Sequence, residues 1–240
     1  MTALVLLPGL SCDAAVWAHA RAAFAPRVDV HIADYGALDS LPAMARHVLD
    51  AVEGDIAIAG HSMGGRVALE MFRVAPERIR GIALLDTGTQ SLATGEAGER
   101  EIAGRHELVG IARRDGMAAM AGRWVQGMVW KPRLAEKPLI DGIVAMFARG
   151  SAEIFAAQIR ALIARPDAGE LLPRIACPAL VLCGEDDSWA PAARHREMAQ
   201  RIPGATLVLV PDCGHMCTLE RPEAVTQALL DWYGRIGSEP

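Results

Sequence analysis

The residues with the clearest chemical potential form a short segment bounded by glycines, Gly60–Gly64, with the sequence Gly-His-Ser-Met-Gly. It follows an apolar run that ends at Ala59 and precedes a stretch with helical periodicity, so Ser62 is expected on a tight turn between a strand and a helix. The two glycines allow the strand and helix backbones to approach closely. A serine hydroxyl held clear of a sheet can act as a nucleophile when a base and oxyanion donors lie beside it.

Candidate partners for Ser62 lie in two loops late in the chain. One of them, Gly184–Pro191, contains three consecutive acidic residues, Glu185-Asp186-Asp187. The other follows a predicted strand and carries His215. A histidine can take the serine proton, and a carboxylate can orient the imidazole. Asp86, at the end of an earlier predicted strand, is a further candidate for the acid.

Short apolar runs alternate with amphipathic segments along most of the chain. Continuous apolar runs are typical of strands buried on both faces of a parallel sheet, and the segments between them have the spacing of helices. We therefore predict an α/β fold with about six strands in a mostly parallel sheet and helices on both faces. The predicted strands are Leu4–Leu7, Val28–Ala33, Asp55–Ala59, Gly81–Leu85, Ala179–Cys183 and Thr206–Val210, and the predicted helices are Ala14–Phe24, Leu41–Val52, the segment after Ser62 up to Val74, Ala192–Arg201 and Pro222–Arg235.

The alternation of strands and helices lapses between Asp86 and Arg174, where the periodicity is helical throughout. An insertion at this point can cover the carboxyl edge of the sheet, where open α/β folds bind their ligands. We predict a core formed by residues 1–87 and 174–240 and a small helical cap formed by residues 88–173. The predicted cap helices lie near Gly98–Asp115, Met117–Trp130, Pro138–Arg149 and Ala152–Ala164.

The composition excludes several classes of function. The 240 residues suit one α/β domain with a small insertion. The formal net charge is −5 and the basic residues are scattered, which argues against a surface for nucleic acid or anionic membranes. No run approaches the ~18 apolar residues of a membrane span. The apolar start of the chain lacks the basic residues of a signal peptide, so we expect a cytoplasmic protein.

The five cysteines are odd in number and contain no Cys-x-x-Cys pair, which indicates reduced thiols. Cys213, His215 and Cys217 alternate along the chain, but they lack a fourth ligand at a recognisable spacing for zinc. We therefore predict neither a metal nor another cofactor.

Four motifs, taken in order, resemble those of the α/β-hydrolase superfamily, in particular its small bacterial carboxylesterase-like members. They are Leu-Leu-Pro-Gly-Leu at Leu6–Leu10, the Gly60–Gly64 turn, a Gly-x-x-Asp-x-x-x-Pro loop at Gly184–Pro191, and Gly-His at Gly214–His215 followed by Leu219–Glu223. The resemblance covers nearly the whole chain and implies the α/β-hydrolase fold. The first predicted strand corresponds to the third strand of the family, so we expect the family's leading β-hairpin to be absent.

The resemblance also implies a catalytic triad of Ser62, Asp187 and His215, in the chain order nucleophile, acid, base. The family places its acid three residues after the glycine of the acid loop, which selects Asp187 over Asp186, Glu185 and Asp86.

An oxyanion hole is implied by the same resemblance, built from the backbone N–H groups of Leu10 and Met63. Pro8 stands where the family commonly has a histidine, a difference that affects neighbouring hydrogen bonds more than these backbone donors. His61 is expected to pack or to form a hydrogen bond beneath the turn.

The implied activity is hydrolysis of a small-to-medium apolar carboxylic ester, a small-molecule substrate, through an acyl-enzyme on Ser62. Apolar side chains of the cap and loops are candidates for the substrate pocket. They are Trp124, Met128, Trp130, Phe147, Trp189 and Met216. The same triad can instead cleave thioesters, lactones or C–C bonds, transfer acyl groups or act as a lyase. A ligand-binding protein without activity can also share the fold.

Overall fold

A sheet of six strands forms the centre of the part of the chain that the computed structural model describes, residues 2–237. The strands are β1 (Ala3–Leu7), β2 (Val30–Ile32), β3 (Ile56–His61), β4 (Ile79–Leu85), β5 (Ala179–Gly184) and β6 (Thr206–Val210). They lie in the order β2-β1-β3-β4-β5-β6, and every neighbouring pair is parallel. The predicted parallel α/β sheet is confirmed.

Helices connect each strand to the next and follow the last strand, because parallel strands need a crossover connection. Within residues 2–237 they are α1 (Ala18–Phe24), α2 (Leu41–Ala51), α3 (Met63–Val74), α4 (Glu96–Asp115), α5 (Met117–Trp124), α6 (Lys137–Ala148), α7 (Ala152–Ile163), α8 (Ala192–Arg201), α9 (Cys217–Glu220) and α10 (Pro222–Tyr233). All the carboxyl ends of the strands therefore meet at one edge of the sheet, and the loops that leave that edge carry Ser62, Asp187 and His215.

The two faces of the sheet bury different residues of the same strands. Leu4 and Leu6 pack in a core with side chains of α1 and α10, whereas Val5 and Leu7 pack in a second core with side chains of α2 and α3. This alternation arises because successive side chains of a strand point to opposite faces. Apolar residues at both kinds of position explain why the strands read as continuous apolar runs.

Several predicted elements have different bounds in the structure. The predicted helix Met117–Trp130 ends as α5 at Trp124 and continues as a 3-10 turn, Val125–Gly127. The strand predicted at Val28–Ala33 is shorter because β2, an edge strand, pairs with β1 at only three positions. The short helix α9 was not predicted.

Four helices, α4 to α7, lie between β4 and β5, where the chain was expected to leave the alternating pattern. They are not loosely attached to the sheet. Met120 of α5 and Phe155 of α7 belong to one core, and Ile143 and Phe147 of α6 belong to the other. The insertion is thus part of the same folded body as the sheet.

The close contact between α3 and β1 gives a stability prediction. A methyl group at Gly64 would overlap the backbone carbonyl of Leu7, a residue that pairs with Gly60 of β3. Because a paired backbone cannot move aside, we expect Gly64→Ala to lower the free energy of unfolding by about 3 kcal/mol or more. Urea denaturation followed by circular dichroism measures this change.

A matched glycine in open space serves as the control. A methyl group at Gly142, within the exposed side of α6, meets no atom within 4 Å. Gly142→Ala should therefore raise the free energy of unfolding by about 0.5–1 kcal/mol. Equal stability of the Gly64→Ala protein and the wild type would contradict the close packing of α3 on β1.

Candidate active site

Ser62 lies on the turn between β3 and α3 with φ 55° and ψ −115°, a conformation that strains a residue other than glycine. Its backbone is fixed on both sides: its N–H donates to the Leu85 carbonyl at 2.8 Å, and its carbonyl accepts from Thr87 Oγ1 at 2.7 Å. A Cβ at Gly60 would overlap the carbonyl of Gly64. Glycine is therefore required for the sharp turn that exposes the Ser62 hydroxyl.

His215 links Ser62 to Asp187 by two hydrogen bonds of equal length. Nε2 of His215 is 2.8 Å from Ser62 Oγ, and Nδ1 is 2.8 Å from Asp187 Oδ2. An ionised carboxylate only accepts hydrogen bonds, so Nδ1 carries the proton and Nε2 is free to accept the hydroxyl hydrogen of Ser62. This tautomer is the one in which an imidazole can act as a base toward serine.

Asp187 is buried, with 3% of its surface exposed, and its second oxygen is also occupied. Oδ1 accepts the backbone N–H groups of Trp189 at 2.8 Å and Ala190 at 3.0 Å. Burial alone would raise the pKa of the Asp187 carboxyl, but the attraction and hydrogen bond of His215, with the two backbone donors, bring this pKa below its ordinary value. Asp187 is thus held as a carboxylate.

The other candidate acids do not contact His215. Glu185 and Asp186 are exposed on the same loop. Asp86 is fully buried, and its carboxylate accepts the backbone N–H groups of Gly184 at 3.0 Å and Cys217 at 3.2 Å. Asp86 therefore supports the loops that carry the acid and the base.

Beneath the turn, His61 forms the contacts expected of it. Its Nε2–H donates to the His215 carbonyl at 2.8 Å and lies 3.5 Å from Asp86 Oδ2. Burial lowers the pKa of His61, but the hydrogen bond and charge of Asp86 outweigh burial and raise that pKa above its ordinary value. The backbone of His215 is thereby fixed from below.

The loop after β1 brings Leu10 to the rim of the site, and Met63 begins α3 directly after Ser62. Among the turn and loop hydrogen bonds between backbone groups of residues 2–237, none is donated by the N–H of Leu10 or of Met63. Gln158 of α7 holds the loop: its Oε1 accepts the N–H of Ser11 at 2.8 Å, and its Nε2 donates to the Gly36 carbonyl at 3.1 Å. No sequence pattern around Gln158 predicts this role.

An apolar cleft of about 60 Å³ opens beside Ser62 and His215. Trp124 and Trp189 stack over it with ring centroids 5.5 Å apart, and Trp189 lies 5.0 Å from the His215 ring. Five of the six predicted pocket residues line this cleft. They are Trp124, Met128, Phe147, Trp189 and Met216.

Trp130, the sixth of these residues, does not line the cleft. Because α5 ends at Trp124, the chain turns before Trp130, whose backbone N–H donates to Glu220 Oε2 at 3.0 Å. Glu220 is buried and also accepts the N–H groups of Gly214 and Met216, each at 3.1 Å. Glu220 thus fixes the backbone on both sides of the base.

Two arginines at the site were not predicted from the sequence. Arg66 lies four residues after Ser62, one turn along α3, and Arg105 extends from α4. Both line a second, polar cleft that shares Ser62 and His215 with the apolar one. Helical spacing could have placed Arg66 near Ser62, but no local signal relates α4 to the turn.

In the described part of the chain, no three His, Cys, Asp or Glu side chains come together in a group that could hold a metal ion. Of the helices in residues 2–237, none has the length and apolarity needed to cross a bilayer.

Comparison with known proteins gives relatives of several activities. One is the dihydrolipoyllysine-residue acetyltransferase component of an acetoin cleaving system from Pseudomonas putida, 30% identical over 203 residues, which covers 81% of this chain and 50% of that protein. The chain thus spans about half the length of this relative. Another is the pimeloyl-[acyl-carrier protein] methyl ester esterase of Nitrosomonas europaea, 27% identical, with 92% of this chain and 91% of that protein covered.

Solved structures have the same architecture. A thermophilic esterase from Thermogutta terrifontis, with malate bound, superimposes with a TM-score of 0.87 at 26% identity, covering 99% of this chain and 91% of that one. The model of the Alpha/beta hydrolase family matches residues 4–228. This match extends from β1 into α10, and the chain belongs to the alpha/beta hydrolase family.

Proposed function

We propose that this chain is a serine esterase that hydrolyses a small-to-medium carboxylic ester through an acyl-enzyme on Ser62. One observation carries the proposal: the continuous hydrogen-bonded path from Ser62 Oγ through His215 to Asp187, with 2.8 Å at each step. Serine is a weak nucleophile until a neighbouring base removes its proton, and this path supplies that base.

In the first step, Ser62 Oγ attacks the ester carbonyl while its proton passes to His215 Nε2. The resulting oxyanion accepts hydrogen bonds from the N–H groups of Leu10 and Met63, each worth about 3 kcal/mol of barrier lowering. His215 then gives its proton to the departing alcohol oxygen, and the acyl group stays on Ser62.

In the second step, His215 takes a proton from a water molecule whose oxygen attacks the acyl carbon. Collapse of the second oxyanion releases the carboxylic acid and returns the proton to Ser62. Asp187 stabilises the imidazolium formed in both steps because its carboxylate lies against Nδ1.

The helical insertion, residues 88–173, acts in this proposal as a cap that selects the substrate. Trp124, Met128 and Phe147 come from this segment and line the apolar cleft beside Ser62, which suits an apolar acyl or alkyl group. The esterases among the similar proteins support an ester as the substrate class.

The reaction needs a small-molecule ester and water, with no cofactor. Cys12, Cys177, Cys183, Cys213 and Cys217 are all free thiols. Free thiols suit the reducing cytoplasm, where we place the protein.

A substrate panel tests the proposal. We expect p-nitrophenyl acetate and butyrate to be hydrolysed faster than the dodecanoate, because a cleft of about 60 Å³ cannot enclose a long chain. Acyl-CoA thioesters of the same chain lengths form the comparison set. If only the thioesters are hydrolysed, the activity is that of a thioesterase and not of an esterase. If neither series is hydrolysed, the proposal is rejected.

A further inference from the structure

The polar cleft beside Ser62 is the second opening of the site and has a volume of about 110 Å³. It shares Ser62, His215, Trp189 and Arg105 with the apolar cleft. A substrate whose reacting carbonyl lies at Ser62 therefore has two places for its two ends, one apolar and one polar.

Arg66 lines the polar cleft without an acidic partner within ion-pair distance in the described residues. Its Nη1 donates to the Gln90 carbonyl at 2.8 Å. Burial, with repulsion from Arg165, Arg105 and Arg194 only partly offset by Glu101, lowers the pKa of Arg66 to about 9. The guanidinium stays charged at neutral pH, so it is a partly buried cation among other cations.

One carboxylate already lies among these arginines. Glu101 Oε1 and Oε2 accept from Arg165 at 2.7 and 2.9 Å, and Oε1 also accepts from Arg105 at 2.9 Å. Although burial alone would raise the pKa of Glu101, these arginines lower it to about 2. Glu101 is therefore a permanent anion that is shared by two cations.

The charges near the cleft do not balance. The guanidinium groups of Arg105, Arg165 and Arg194 all repel that of Arg66, and Glu101 is the carboxylate that attracts it. The carboxylate that lines the cleft itself is Asp86, which is fully buried and already accepts backbone N–H groups. An uncompensated cation beside a nucleophile is costly to keep unless a ligand brings the opposite charge.

We propose that the substrate is an ester with a second, free carboxylate, and that Arg66 and Arg105 bind this carboxylate in the polar cleft while the other end lies in the apolar cleft. This inference rests on the proposed function, since it assigns the substrate of the same Ser62. The planar guanidinium fork matches a carboxylate, as the contacts of Glu101 in the same cluster illustrate.

Two pairs of substrates place the carboxylate on either side of the scissile bond. The first pair is p-nitrophenyl hydrogen glutarate and an isostere in which an isopropyl group replaces the free carboxylate. The second is the acetate ester of p-hydroxybenzoate and the acetate ester of p-isopropylphenol. In at least one pair, we expect kcat/KM of the wild type to be about 10- to 100-fold higher for the charged ester, the range for a charge-assisted hydrogen bond.

Variants separate a specific site from general attraction. Arg66→Gln should abolish most of the preference for the charged ester, and Arg66→Lys should restore part of it because the charge returns without the fork. Arg113→Gln removes the same charge from an exposed position on α4 and should keep the wild-type preference. If Arg66→Gln fails to fold, Arg194→Gln provides the test in its place. Arg194 is an exposed residue of the cleft, and its replacement should reduce the preference for the charged ester.

Binding of glutarate, measured by isothermal titration calorimetry, does not depend on turnover. We expect binding to the wild type and to Arg113→Gln, and binding at least 10-fold weaker to Arg66→Gln. Hydrolysis of the uncharged esters without preference for either charged one, and no glutarate binding, would overturn this inference but leave the esterase intact. Glutarate binding that depends on Arg66, without hydrolysis of any ester, would support the anion site and reject the esterase.

Discussion

Replacement of Ser62 by alanine is expected to reduce kcat for p-nitrophenyl acetate by about four to six orders of magnitude, because it removes the hydroxyl that lies at His215 Nε2 and forms the acyl-enzyme. The turn should survive the change. Its hydrogen bonds to Leu85 and Thr87 use only the backbone of Ser62, and alanine and serine have similar strain at positive φ. The measurement is initial rate at saturating substrate, with circular dichroism to check the fold.

The matched control is Ser91→Ala, which removes an exposed serine hydroxyl elsewhere in the chain. It should retain the wild-type kcat. Activity of the Ser62→Ala protein within tenfold of the wild type would show that another group attacks the ester, and the proposed mechanism would then be wrong.

The second large effect is expected at Asp187. Asparagine can keep the Oδ1 contacts with the N–H groups of Trp189 and Ala190, but it places an NH₂ group where Oδ2 faces His215 Nδ1. The imidazole then moves its proton to Nε2 and can no longer accept one from Ser62. We expect Asp187→Asn to lower kcat by about 10⁴-fold while KM changes little.

Asp186→Asn is the control for the acid, because the neighbouring carboxylate is exposed. This variant should retain kcat close to that of the wild type. A large loss of kcat in Asp186→Asn, with none in Asp187→Asn, would reverse the assignment. Steady-state kinetics of both variants on one ester decides between them.

Much of the sheet could be predicted because each strand is a short apolar run whose burial on both faces leaves a local signal. The same holds for the turn at Ser62, where glycine spacing reflects backbone contacts within a few residues. The bounds of β2 were less predictable because its length depends on pairing with β1 rather than on its own residues.

Long-range packing explains what could not be predicted. Trp130 has a large apolar side chain like the residues that line the pocket. The chain turns after Trp124, however, and the Trp130 backbone N–H instead donates to Glu220. Arg105 reaches the site from α4, which packs against α5 and α7, and Gln158 reaches the Leu10 loop from α7. No spacing within the sequence specifies how these helices of the insertion are oriented over the sheet.

The most direct test of the central proposal, that Ser62 is a nucleophile activated by His215, is covalent labelling with a fluorophosphonate followed by peptide mass spectrometry. We expect one adduct per chain on the peptide that contains Ser62, formed far more slowly in His215→Ala because Nε2 no longer accepts the serine proton. An unlabelled Ser62 in the folded wild type, or an adduct on another residue, would contradict the proposal.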